Sequence, residues 1–509
     1  MTDTELEREM EAQPVEPAVP ARPIRALFKQ TLVYGVSGVF LQIVGVITVP
    51  IYARQFTPSD YGVLELGMVA LAVALAVADL GLSSGSQRIF FEYADEAERR
   101  NVLLTGLTAA LAISTVLALA AIATRNALSD RLFGDTGHTE IIVFAAASVP
   151  VGFAAIFARE VMRLYFRAWH YVASAALAAS MTAGVGIILV VAFHSGVKGV
   201  FVGVLVGHGV AALYGLAVIG EHLRGRLVRR DLHAMLSFGL PLVPTAVAMW
   251  AITFIDRVLL RKLTNLGEVG QYAVASRVSG ALTLGIVGFQ LALSPFILSI
   301  YSRDPEAEKV VRAHVLKYLT VALSFAGLVL TLFARELLAV VAPGYHDAYR
   351  PVGLLVLAVV AYGIASVVMS GISLARRTMW FALISGVAAL LNVAACFALI
   401  PSTGMIGAAL ASVVGFGFLA AAYYGAAQRL YPTPYEPRPT LTTLALASAL
   451  APAGLLELSA LVAVPLKLGV LVAFVGLLRV TNVVTGTDVR EARQLVTDGL
   501  GATRARIAT

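Results

Sequence analysis

The stretch from Ser237 to Ile297 decides the fold. It opens Ser237-Phe238-Gly239-Leu240-Pro241, runs apolar through Trp250 and reaches the charged pair Asp256-Arg257. A short polar turn ending at Gly270 follows. A second apolar run, Tyr272 to Ile297, carries one arginine, Arg277, and closes on Ser294-Pro295-Phe296. Two apolar runs long enough to cross a bilayer, joined by a short polar link, predict a transmembrane hairpin. Its place in the chain matters as much, because it begins a second copy of what the first half already contains.

Composition agrees with a membrane setting. Of 509 residues, 59% are hydrophobic and 14% charged, and the mean hydropathy is +0.83. Soluble domains carry about 25% charged residues, so here too little polar surface is left to cover a water-soluble fold. The net charge of +7 does not indicate nucleic acid, because Lys and Arg are spread over many short loops instead of one face. Cys396 stands alone, which excludes an intrachain disulfide and a thiolate metal cluster. Residues 1–29, acidic and then proline-rich, read as a disordered cytoplasmic tail without a signal peptide.

A span needs about 20 mainly apolar residues, and on that measure the chain holds about fourteen. Six fall near 32–52, 61–82, 102–124, 140–158, 172–193 and 199–220. Six more fall near 237–256, 271–299, 315–334, 351–372, 379–400 and 405–427, and two near 441–458 and 461–478. With the N-terminus inside, 27 Lys and Arg lie in inner segments and 9 in outer ones. Arg277 and Lys467, the rest of the 38, sit within spans. The bias predicts a multi-pass membrane protein with both termini cytoplasmic.

The repeat is visible in the glycines. Gly62 and Gly270, Gly196 and Gly404, Gly199 and Gly407, Gly207 and Gly415, and Gly209 and Gly417 all share an offset of 208. Ser-Gly-Val-Lys-Gly-Val at 195–200 pairs with Thr-Gly-Met-Ile-Gly-Ala at 403–408. An even number of spans per copy gives both halves one orientation. The expected architecture is all-α: two six-helix lobes, 30–220 and 236–430, related by a pseudo-twofold along the membrane normal. The basic stretch 221–235 links them. Two extra helices follow at 440–480, and 481–509 forms a cytoplasmic tail. Gly199, Gly203 and Gly207 at every fourth position predict close helix packing.

No metal motif, Walker loop, nucleophile elbow or ATP-binding domain occurs, so no catalytic residue, metal or cofactor is expected. The histidines are scattered, and His208 reads as a packing residue. The informative signal is charge at membrane depth, which costs roughly 2.5–3.5 kcal/mol per residue at a helix centre and therefore marks cavities. Arg277 lies inside span eight. Glu65 and Asp79 lie in span two, with Arg88 at its inner end. Asp256 and Arg257 end span seven, where an interfacial anchor is the plain reading. A cationic cavity between two lobes suits phosphate or pyrophosphate, which the arginine fork matches. Arg277 is accordingly a candidate pyrophosphate ligand, and Asp256, Arg257, Glu65 and Asp79 the candidate gating or interface residues; for Arg88, positive-inside topology is as good a reading as function.

Several phrases carry a family resemblance: Val49-Pro50-Ile51-Tyr52-Ala53-Arg54, Phe56-Thr57-Pro58-Ser59-Asp60-Tyr61-Gly62, Phe238-Gly239-Leu240-Pro241, Val269-Gly270-Gln271-Tyr272 and Ser294-Pro295-Phe296. Their order resembles the polysaccharide branch, the O-antigen flippases, of the multidrug/oligosaccharidyl-lipid/polysaccharide exporter superfamily. The resemblance implies a flippase that moves undecaprenyl-pyrophosphate-linked oligosaccharide (O-antigen, capsule or exopolysaccharide repeat units) by alternating access. It also implies membrane lipid contacts, a coupling ion (H+ or Na+), and polysaccharide polymerase and glycosyltransferase partners. In related lipid II flippases an arginine of span eight in a Tyr-x-x-x-Arg-like phrase is functional. Tyr272 and Arg277 occupy that neighbourhood with one extra residue between them, and Arg88 loosely matches a second arginine that matters there, so the resemblance implies Arg88 as a second candidate pyrophosphate ligand. Those flippases carry an Arg-Asp pair in span one, where this chain has Thr48 and Val49, which argues against lipid II. An ion-coupled multidrug antiporter of the same superfamily is the alternative.

Overall fold

A computed structural model describes residues 43–485 with Gly38 and Phe40, apart from Ser302, Arg303, Arg376, Thr378 and Leu458. The expected tail 1–29, the start of the first span and everything from 486 onward lie outside the described residues. Among the described residues, regular structure is helical throughout. That follows from the solvent: in hydrocarbon each backbone amide must be satisfied within its own segment.

Among the described residues, twelve helices are long and apolar enough to cross a membrane. The chain is a multi-pass membrane protein. Two expected spans fall short of that measure. The first is described only as α1, Ile43–Gln55. The thirteenth, expected at 441–458, is α17, Pro437–Leu450, followed by a 3-10 turn at Ala451–Leu455. Fourteen helical residues reach about 21 Å, short of a hydrocarbon core of about 30 Å. Pro452 removes an amide donor where the helix would continue.

The first lobe continues with α2 (Pro58–Asp79), α3 (Leu82–Glu92), α4 (Glu96–Ala123), α5 (Arg125–Phe133), α6 (Thr139–Leu164), α7 (Ala168–Val191) and α8 (Gly196–Ile219). The second begins with α9 (Arg229–Gly239), α10 (Val243–Leu263), α11 (Leu266–Tyr301) and α12 (Pro305–Leu332). It goes on through α13 (Ala334–Val341), α14 (Val352–Leu374), α15 (Met379–Thr403) and α16 (Met405–Leu430), and α18 (Ala460–Val480) closes the described chain. Local signals set the starts. Thr57 and Asp60 form a reciprocal capping box with Pro58 in the first turn of α2, and Asp304 caps α12 ahead of Pro305. Between α2 and α3 the span kinks, because Leu80 and Gly81 are both left-handed, at φ 43° and 75°.

The two lobes pack alike. In the first, α7 meets α8, α6 meets α8, α4 meets α6, α2 meets α6 and α2 meets α4. In the second, α15 meets α16, α14 meets α16, α12 meets α14, α11 meets α14 and α11 meets α12. The paired glycines share surroundings too. Gly196 and Gly404 both turn at positive φ, 59° and 57°. Gly207 lies against Thr182 of α7 and Gly415 against Asn392 of α15. Gly209 and Gly417 each have open space around them.

The fifth pair fixes the axis. A side chain on Gly62 would strike the Leu266 carbonyl, and one on Gly270 would strike the Pro58 carbonyl. Leu266 is itself 208 residues after Pro58, so the contact is reciprocal. The lobes are therefore pressed together where α2 and α11 begin. At that end Arg54 Nη2 donates to the Val340 carbonyl at 3.0 Å, and Arg261 Nη2 donates to the Phe133 carbonyl at 2.7 Å. Tyr345 Oη donates to the carbonyls of Phe56 and Thr57 at 3.1 and 3.2 Å. Burial holds the Tyr345 phenol above its ordinary range, so it stays a donor. Further along α11, Gly280, Gly285 and Gly288 meet nothing within 4 Å.

At the other end α9 packs on α3 and α4. Gly81 and Gly239 touch backbone to backbone, Tyr93 Oη donates to Asp231 at 2.9 Å, and the Arg88 guanidinium stands 4.6 Å from the Phe238 ring. A 3-10 turn at Leu240–Leu242, with Pro241 and Pro244, separates α9 from α10. The expected span 237–256 is thus two pieces, and α10 runs on to Leu263. Asp256 and Arg257 do not end it; they lie nearly two turns inside.

Candidate functional site

Sequence reasoning left Glu65, Asp256, Arg257 and Arg277 as separate depth charges. The structure brings all four together where α2 of one lobe meets α10 and α11 of the other. Arg257 Nε donates to Glu65 Oε1 at 2.8 Å, and Arg257 Nη1 donates to Asp256 Oδ1 at 2.8 Å. Arg277 Nη2 donates to Glu65 Oε2 at 3.1 Å. One carboxylate of the first lobe thus bridges two guanidinium groups of the second.

Neighbours complete the cluster. Arg257 Nη1 also donates to the Thr253 carbonyl at 2.7 Å, and its guanidinium stands 5.5 Å from the rings of Phe254 and Tyr272. Tyr272 Oη donates to Asp256 Oδ2, and Ser412 Oγ of α16 donates to the same oxygen at 3.3 Å. These donors and rings explain why a charged pair survives inside a helix: each charge has a counter-ion and each carboxylate oxygen at least one donor. The interfacial-anchor reading of Asp256 and Arg257 is set aside by this burial, since Asp256 is 2% exposed.

The four charges sum to zero, so the expected cationic lining is compensated. What differs is access. The Arg277 side chain is 42% exposed, against 6% for Glu65 and 11% for Arg257. Among the described residues Glu65 is the ion partner of Arg277, through one terminal nitrogen. The rest of the fork is open to an anion. A cavity of about 370 Å³ lies beside the cluster within the second lobe, bounded by Arg257, Tyr272, Ser276, Tyr362 and Ser412.

Two expected site residues lie elsewhere. Arg88 pairs with Glu92 at 3.1 Å and is 57% exposed. It is 23 residues beyond Glu65 along a nearly continuous span, roughly 35 Å at helical rise, so in this conformation one phosphate group cannot touch both Arg88 and Arg277. Asp79 accepts hydrogen bonds from the Ser83 amide and hydroxyl and holds the kink before α3. Ser412 and the Tyr272 hydroxyl were missed. The depth charges and the Val269-Gly270-Gln271-Tyr272 phrase point to this region, but nothing in the sequence singles out Ser412. Lys467, unassigned from sequence, pairs with Glu336 of α13 at 2.5 Å. Among the described residues no group of three metal-ligating side chains occurs.

The family profile "Polysaccharide biosynthesis protein" matches residues 27–301, more than half of the chain. The chain belongs to this family. The match takes in the first lobe and, in the second, α9 to α11, which supply Asp256, Arg257, Tyr272 and Arg277. No curated protein sequence matches significantly. Among solved structures, the chain is similar to the lipid II flippase MurJ in an inward closed conformation. The TM-score is 0.70 at 15% identity, over 87% of this chain and 98% of that one. It is also similar to an inward-facing multidrug resistance MATE family transporter of the MOP superfamily, with TM-score 0.60, 17% identity, 77% and 94% covered. A Vibrio cholerae MATE transporter gives TM-score 0.57 at 15% identity, 80% and 96% covered. This family member therefore has the fold of MOP-type transporters.

Proposed function

We propose that this protein flips a lipid-linked oligosaccharide across the bacterial cytoplasmic membrane by alternating access. The substrate class is undecaprenyl-pyrophosphate carrying an O-antigen, capsule or exopolysaccharide repeat unit. The observation that carries the reading is the half-exposed Arg277 guanidinium between the lobes, clipped to Glu65 of the opposite lobe. A pyrophosphate offers Arg277 more negative charge than one carboxylate and the same planar geometry. It competes with Glu65 for Arg277 and so releases a bridge that holds the lobes together. Binding and rocking are coupled by that exchange, with lobes 30–220 and 236–430 as the moving bodies and 221–235 as the link.

The basic loops assign the sides. They put both termini and α9 on the cytoplasmic side, and the Gly62–Gly270 contact outside. The outer end is then sealed by that contact, and substrate enters from the cytoplasmic side when the contacts of α9 with α3 and α4 part. The protein acts on no covalent bond in this scheme. Glycosyltransferases supply its substrate and a polymerase consumes the product. A coupling ion, H+ or Na+, drives the cycle.

The test is made in cells lacking the gene. Wild type restores surface glycan, and Arg277→Ala leaves the lipid-linked intermediate inside. Full export by Arg277→Ala defeats the reading. The second reading, an ion-coupled multidrug antiporter, draws support from the electroneutral cluster and the MATE-like fold. It expects altered accumulation of cationic dyes with surface glycan unchanged.

A further inference from the structure

A second cavity, of about 450 Å³, lies at the lobe interface, and the flippase reading leaves it unassigned. Its walls come from α2, α4, α5 and α6 of the first lobe, with Trp250 and Val258 of α10 closing it from the second. Leu66, Val69, Leu117 and Ile142 make it aliphatic, and its rim is open at Val77, which is 42% exposed. It adjoins the charge cluster in two ways. Leu66 follows Glu65 and Val258 follows Arg257 in sequence. An aromatic ladder also joins them: the Trp250 ring lies 6.2 Å from that of Phe254, and the Phe254 ring lies 5.5 Å from the Arg257 guanidinium. Positions 250, 254 and 257 share one helix face.

We infer that this cavity holds the first isoprenoid units of the lipid while its pyrophosphate engages Arg277. The inference rests on the flippase reading and adds where the hydrocarbon goes. An amphiphile needs a polar and an apolar subsite within a few bonds of each other, and only a site built by both lobes can make tail binding report on lobe position. The other large apolar cavity, of about 490 Å³ between α12, α14, α16 and α17, has Arg350 in its lining but fails the second condition. No first-lobe residue lines it, and neither Glu65 nor Arg277 is among its walls.

The experiment compares two probes on full-length protein in nanodiscs: undecaprenyl pyrophosphate and a two-isoprene pyrophosphate. Apolar burial predicts that wild type prefers the long chain by roughly tenfold or more. Ala70→Phe and Ala121→Phe, which fill the interface cavity, bring that preference to within about threefold while the short probe binds as before. Ala447→Phe, in the other cavity, leaves it intact. A photo-crosslinking residue at Ala121 captures the long probe in otherwise wild-type protein, which guards against misfolded variants. Loss of the preference in Ala447→Phe alone, or no crosslink at Ala121, overturns the inference. Short-probe binding unchanged by Arg277→Ala instead overturns the flippase reading beneath it.

Discussion

Gly62 and Gly270 sit at mirrored positions of one crossing, each against the carbonyl that begins the other's helix. Contact this close leaves no room for a methyl group, and the neighbour is backbone, which cannot swing away. Gly62→Ala and Gly270→Ala should each cost about 1–3 kcal/mol of stability in the closed state and shift the lobes apart at this end. Labelling of Ser59→Cys by a membrane-impermeant maleimide, in a Cys396→Ala background, should rise in both. Gly280→Ala, with nothing within 4 Å, should leave the labelling unchanged.

Breaking the buried network should cost more on its charged side than on its neutral one. Asp256→Asn removes one of the two carboxylates on Arg257 and should lower stability by about 3–5 kcal/mol. Ser412→Ala deletes one hydrogen bond and should cost about 1 kcal/mol. Thermal unfolding in detergent measures both, and equal losses would contradict the arrangement.

The fold was legible because both of its causes are periodic. Apolar runs of span length predict membrane helices, and five glycine pairs at one offset predict two lobes built alike, since four of the pairs meet one turn or packing need twice. Boundaries were less legible. Asp256-Arg257 looked like the end of a span because isolated charges belong at interfaces. Their partners Glu65, Tyr272 and Ser412 come from three other helices, and sequence distance carries no signal of that. The same limit hid the neutrality of the cluster: Arg277 reads as a free cation until Glu65 is seen at 3.1 Å. Arg88 was grouped with Arg277 by family likeness, and the length of the α2–α3 span separates them.

Lys467 and Glu336 offer a separate check on how the last helix is held. The lysine is 1% exposed, and its partner sits on the short helix α13. Glu336→Leu alone leaves the buried Lys467 ammonium without its ion partner and should cost about 3–5 kcal/mol, whereas Glu336→Leu with Lys467→Met should return close to wild type. Thermal stability and membrane yield of the two variants decide the matter. A double variant as weak as the single would mean that the pair fixes geometry as well as charge.

The central claim is that Glu65 occupies the place an anionic substrate takes on Arg277. Affinity of undecaprenyl pyrophosphate for nanodisc-embedded protein tests it most directly. Glu65→Gln should bind several-fold more tightly than wild type, because the internal competitor has lost its charge, and Arg277→Ala should bind at least tenfold more weakly. Weaker binding in Glu65→Gln, or wild-type affinity in Arg277→Ala, would contradict the account.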